Sequence, residues 1–127
     1  MNFKGIYMKE SLSSIINRVS LLGNCTEKEY KMVAKHLVRI SPCNALFFGV
    51  GYDSELWSRI NSNGNNLFLE DSEKWIDIIG KSVSGLKIEK VEYNTKVSEW
   101  KKILNNQKRL IMQLPNYVWN TDWDLFL

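Results

Sequence analysis

The apolar positions of this chain switch repeatedly between helical and strand spacing. Leu12, Ile15, Ile16, Val19 and Leu22 recur at the helical interval, and Gly23-Asn24 breaks the run. Thr26 followed by Glu29 reads as a capping box, which satisfies the free backbone donors of a helix start. The helix it opens carries Tyr30, Met32, Val33, Leu37 and Val38 and must stop before Pro42. Ala45, Leu46, Phe47 and Phe48 then run without polar alternation, which predicts a strand over 44–48 buried on both faces. Asp53 or Ser54 can cap the next helix, with Leu56, Trp57 and Ile60 inward. Asn63-Gly64-Asn65 marks a turn into a second strand over 66–69. Ser72 caps a short helix with Trp75, Ile76 and Ile79 inward, closed by Gly80. A third strand is predicted over 86–93 and a helix over 97–105. Leu114-Pro115 interrupts the chain, one helical turn follows over 117–119, and a fourth strand over 123–127.

Helix and strand in alternation predict an α/β fold: a parallel sheet of about four strands, connected right-handedly, with flanking helices. The 127 residues suffice for one domain, and 44% apolar with 24% charged residues is ordinary for a globular protein. A net charge of +3, with 17 basic residues scattered among 14 acidic ones, supplies no concentrated patch for nucleic acid. No apolar run approaches a membrane span, and the first residues lack the apolar centre of a signal peptide. A cytoplasmic location is therefore expected, or a fragment that has lost its targeting segment. Cys25 and Cys43 match neither a zinc spacing nor a disulfide framework, so two buried free thiols and no metal are expected.

The chemistry concentrates after the first strand. Gly49 and Gly51 permit a tight turn and a close backbone approach to a ligand. Glu70 ends the second strand at about the 20-residue spacing at which dinucleotide folds place the acid that holds a ribose. Asp71 beside it competes for that role. Strand, glycine turn, helix, strand and acid together describe a Rossmann-like nucleoside site. The pattern Gly49-x-Gly51-x-x-Ser54 lacks a third glycine, and Asp53 places a carboxylate where a pyrophosphate would sit. That repels a diphosphate and suits a cation. S-adenosylmethionine, with a sulfonium, an ammonium and no phosphate, fits better than a nicotinamide cofactor. As a plain helix cap, Asp53 would say nothing about the ligand. The sole histidine, His36, lies on the helix before the first strand, away from this site, and the five tryptophans read as core packing.

Four segments, PCNALFFGVGYDSELW, NLFLEDSEKWI, VEYNTKVSEW and LPNYVWNTDWDLFL, resemble in order and spacing a plant polysaccharide-biosynthesis family. This is the irregular xylem 15-like family, whose members include the glucuronoxylan 4-O-methyltransferases. The resemblance covers residues 26–127. It implies a class I methyltransferase fold, S-adenosylmethionine as cofactor, and a sugar or polysaccharide acceptor, namely the glucuronic acid side residues of xylan. Phe48, Gly49, Gly51, Asp53 and Ser54 match the family's cofactor loop, and Glu70 matches its ribose acid. Tyr52 stands where the plant proteins usually carry histidine; Thr95 and Lys96 match a signature whose role the residues do not reveal.

The resemblance further implies a helical segment over 1–24 and a partial cofactor-binding domain over 25–127. In the family, the strand beginning Trp-Asp runs on into an aspartate and a Gly-Pro or Ala-Pro turn, and an N-terminal anchor holds the protein at the Golgi. Neither is matched here. A truncated fold is expected, with its catalytic base outside the sequence and its fourth strand an open edge prone to self-association. The competing expectation is an inactive remnant or binding module with the same fold; a nicotinamide-dependent oxidoreductase ranks third.

Overall fold

The structure, a computed structural model, describes residues 10–93, 97–99, 101 and 114–127. Helices α1 (Leu12–Leu22) and α2 (Glu27–Ile40) precede strand β1 (Asn44–Phe48). Then follow α3 (Ser54–Ile60), β2 (Asn65–Glu70), α4 (Glu73–Ser82) and β3 (Ile88–Lys90). A 3-10 turn (Val97–Glu99), α5 (Asn116–Trp119) and β4 (Leu125–Phe126) complete the described elements.

Local chemistry explains the helix starts. Ser11 accepts from the Ser14 N–H at the head of α1, and Ser72 accepts from the Trp75 N–H at the head of α4. The Thr26–Glu29 box closes in both directions, with the Thr26 N–H donating to Glu29 Oε2 at 2.7 Å. α2 ends at Ile40, two residues before Pro42.

The strands form one sheet in the order β3-β2-β1-β4, and every pairing is parallel. This is the arrangement of the first four strands of a Rossmann-like sheet, so the chain has the α/β fold its periodicity predicts. The order reverses between β1 and β4, and doubly wound sheets bind ligands beyond the carboxyl ends of the strands at such a reversal. One face of the sheet buries Ala45, Phe47 and Phe68 under Ile15, Val19, Leu37, Leu56 and Ile79, so α1 shares the core of the helices that follow. Phe47 and Phe68 stack at 4.5 Å between centroids. The other face packs Leu46, Leu67 and Leu69 against Val91 and Val118. Arg18 on α1 bridges Glu10 (2.8 Å) and Glu55 of α3 (3.1 Å), and Glu55 also pairs with Arg59.

A buried polar clamp, invisible to periodicity, joins the entrances of β1 and β2. Asn61 is fully buried; its side chain accepts from the Cys43 N–H and donates to the Cys43 carbonyl and to Asn66 Oδ1. A Cβ on Gly64 would collide with this amide and with the Cys43 carbonyl, which is why the Asn63-Gly64-Asn65 turn needs its glycine.

Several expectations are corrected. β3 and β4 are shorter than 86–93 and 123–127: their paired residues are few, and the flanking Lys87, Val91, Asp124 and Leu127 add backbone bonds to the neighbouring strands without extending the strands themselves. α4 runs through Gly80 to Ser82, since a Cβ-less residue on its open side costs little there. Trp75 and Trp119 are exposed rather than core residues, and Cys25 is exposed while Cys43 is buried. Burial pushes the Cys43 thiol above its ordinary value, with the Asp124 charge adding to the effect. Most of the helix expected over 97–105, together with Thr95, Lys96 and Trp100, lies outside the described residues. Among the described residues no helix is long and apolar enough to cross a membrane, and no cluster of metal-ligating side chains occurs.

Candidate cofactor site at the glycine turn

The carboxyl end of β1 is fastened on both sides. The Phe48 N–H donates to the Leu127 carbonyl (2.7 Å), and the Gly49 N–H donates to the Leu69 carbonyl (2.6 Å). At Gly49 the backbone turns with φ at +103°, a conformation that side chains disfavour. The role of Gly51 is different: a Cβ there would sit 3.1 Å from Asp53 Oδ1. Ser54 and Gly51 then bond reciprocally. The Gly51 N–H donates to Ser54 Oγ (3.0 Å) and the Ser54 N–H donates to the Gly51 carbonyl (3.1 Å). Ser54 is buried, so this pair holds the turn against the head of α3.

Asp53 occupies the N-cap position of α3 but makes no capping bond. Its backbone is already helical, which turns the carboxylate away from the free donors of the first turn. Oδ2 instead accepts from the Trp57 indole N–H at 3.2 Å. Burial pushes the Asp53 carboxyl above its ordinary value, and the indole bond only partly offsets that. An underused, half-buried carboxylate results.

Glu70 is 7% exposed and bonded at both oxygens. Oε1 accepts from the Val50 N–H (3.1 Å) and Oε2 from the Ser72 N–H (2.9 Å). The acid that ends β2 thus pins the glycine turn and the head of α4 at once. Asp71 is exposed; its charge, with that of Glu70, adds to the burial that raises the Tyr93 hydroxyl above its ordinary value. Tyr52 is exposed at the turn and meets Trp75 edge-on, centroids 5.8 Å apart at 86°.

A cavity of about 300 Å³ opens at the turn, beside the reversal between β1 and β4. Phe48, Gly49, Gly51, Asp53 and Ser54 line it together, as the spacing of the motif predicts. Tyr52, Glu70 and Asp71 do not line it. Asn24 and Trp57 do, and the motif did not reveal either. The four-residue step from Asp53 to Trp57, one helical turn, is a signal that could have found the second. Nothing in the local sequence marks Asn24, which tertiary packing carries to the cavity. His36 lies on the exposed side of α2 against Arg39, its Nδ1 2.9 Å from the guanidinium, away from the cavity.

The arrangement can accept a cation at Asp53 and a polar, uncharged group at the backbone of the turn. A diphosphate would meet an uncompensated carboxylate. The donor set therefore fits a cofactor that is cationic at one end.

The family profile described as IRX15/IRX15L/GXM matches residues 28–110. Glucuronoxylan 4-O-methyltransferase 1 of Arabidopsis thaliana is 32% identical over 118 residues, covering 80% of this chain and 42% of that protein. Glucuronoxylan 4-O-methyltransferase 2 of the same plant is 30% identical over 118 residues, covering 80% of this chain and 41% of that protein. Arabinogalactan O-methyltransferase 2, also from Arabidopsis thaliana, is 30% identical over 106 residues, covering 68% of this chain and 36% of that protein. The chain spans about two-fifths of the length of the curated relatives it matches. No solved structure gives a significant match. On the extent of these matches, the chain belongs to the IRX15/IRX15L/GXM family.

Proposed function

We propose that this chain binds S-adenosylmethionine at the glycine turn and serves O-methyl transfer to a sugar hydroxyl, the glucuronic acid residue of a xylan being the favoured acceptor. The single observation that carries this reading is Asp53, a half-buried carboxylate with an indole donor at one oxygen, at the position where dinucleotide folds seat a phosphate. When bound, the cofactor supplies an electrophilic sulfonium methyl. Asp53 would hold its ammonium, and the glycine turn would let the backbone lie against its uncharged middle. Glu70 is the acid proposed for the ribose; it ends β2 beside the turn without lining the cavity, and each oxygen, already holding one backbone N–H, keeps a second acceptor site. Phe47 and Phe68 give the cavity apolar lining. The base that takes the acceptor's proton is assigned to no residue of the described set.

A second reading is a cofactor-fold module that does not itself transfer methyl groups. Glu70, tied to two backbone donors and outside the cavity, is not placed to take a proton from an acceptor, and Asp53 is assigned to the ammonium. Among the described residues β4 is an edge strand with Phe126 exposed, and self-association through it, which sedimentation would measure, is part of either reading.

Calorimetry with S-adenosylmethionine, the Glu70→Ala variant and NAD(H) tests the site. Binding of S-adenosylmethionine alone, weakened about tenfold or more in the variant, is the expected result. Equal affinity in both proteins would remove Glu70 from the ribose, and NAD(H) binding would restore the oxidoreductase reading. Methyl transfer from labelled cofactor to glucuronoxylan separates the catalytic reading from the module.

A further inference from the structure

The junction between α1 and α2 reaches the cavity through Asn24, and its attachment there is built in several steps. Tyr30, 3% exposed on α2, sets its hydroxyl against the backbone of the junction at Gly23. A side chain on Gly23 would collide with that hydroxyl, so glycine is required for the junction to lie so close. The Tyr30 ring packs against Trp57 at 6.0 Å and 48°, and Trp57 in turn donates to Asp53. On the far side, the Thr26–Glu29 box fixes where α2 begins. Asn24 and Asp53 thus stand on two walls of one cavity, joined by a tyrosine and a tryptophan. The Asn24 side-chain amide is exposed and makes no hydrogen bond to another described residue.

We infer that Asn24 is a ligand-contacting residue that acts with Asp53 to recognise an α-amino-acid group. The Asp53 carboxylate takes the ammonium and the Asn24 amide N–H donates to the carboxylate. An α-amino acid presents these two charges one carbon apart, and an acid facing an amide across a small cavity complements both. The neutral amide matters. A lysine or arginine in its place would pair with Asp53 and cancel the cation site. This inference rests on the cofactor reading above and extends it, since it makes the segment before the sheet part of the binding site.

The test compares two ligands that share a nucleoside and a neutral thioether and differ in the amino acid: S-adenosylhomocysteine and 5′-methylthioadenosine. Calorimetry on the full chain is expected to show S-adenosylhomocysteine binding at least tenfold tighter. In Asn24→Ala the preference should shrink about tenfold, through weaker S-adenosylhomocysteine binding at unchanged methylthioadenosine affinity. Asn24→Asp, which sets a second carboxylate against that of the ligand, should abolish the preference. An unchanged preference in Asn24→Ala, or equal weakening of both ligands, would overturn the role of Asn24 while leaving the cofactor reading intact. Binding of neither ligand to the unaltered chain would overturn both.

Discussion

Two connections leave the carboxyl side of the sheet, after β1 and after β2, and each carries one enclosed carboxylate. They treat it in opposite ways. Glu70, after β2, accepts a backbone N–H at each oxygen and ties two loops together. Asp53, after β1, receives one indole N–H and pays for its burial with a raised protonation range. The first is the cheaper state, because hydrogen bonds to the charged form replace much of the lost hydration. The second is left waiting for a partner that the protein does not supply. A satisfied acid holds a site together, whereas an unsatisfied one binds.

Breaking the satisfied acid should have the largest effect. Glu70→Ala strips the acceptor from the Val50 and Ser72 N–H groups and should cost about 3 kcal/mol of stability, read from urea denaturation. Glu70→Gln keeps one acceptor oxygen and should recover part of that. Next comes the turn between the two acids. Gly49→Ala forces a side chain into φ +103° and should cost about 2 kcal/mol, with ligand affinity falling alongside.

Smallest, and opposite in sign, is Asp53→Asn. Burial raises the folded-state value above the ordinary 3.8, so the folded protein holds this proton more tightly than the unfolded chain. The linked stability is fully present below the unfolded value and is lost as pH rises through the folded one. At neutral pH the amide, which still accepts from Trp57, should therefore make the unliganded protein slightly more stable than wild type. At acid pH that advantage should vanish. Cofactor affinity should fall at neutral pH all the same, and a variant that both loses stability and binds normally would erase the contrast between the two acids.

Much of this was legible in the residues, and the reasons differ by region. The bounds of β1 are legible because a run apolar on both faces fits only a central strand, and the place of Glu70 at the end of β2 is legible from its apolar run. The apolar runs around β3 and β4 are longer than the strands because residues such as Val91 and Leu127 bond to a neighbouring strand at its end without continuing the paired register. Trp75 departs from the expected core role because helical period assigns a face but cannot say how fully it is covered; here Tyr52 meets the ring edge-on and the indole stays partly exposed. The commitment of Glu70 to two backbone donors, the buried Asn61 clamp and the approach of Asn24 all depend on loops meeting in space. No local pattern encodes them.

The register of β1 also bears on how the fold assembles in time. Ala45 pairs with Asn66 on one side and Leu125 on the other. Closing a loop of roughly 80 residues instead of roughly 20 costs about 1 kcal/mol more in chain entropy. The half-sheet β1–β2–β3 should therefore form early, with Glu70 already pinning the turn, while β4 docks late. The crevice between β1 and β4 would be the last part of the molecule to acquire its shape, and the first to lose it on unfolding. A ligand seated there would act as a kinetic latch, slowing unfolding more than it speeds folding.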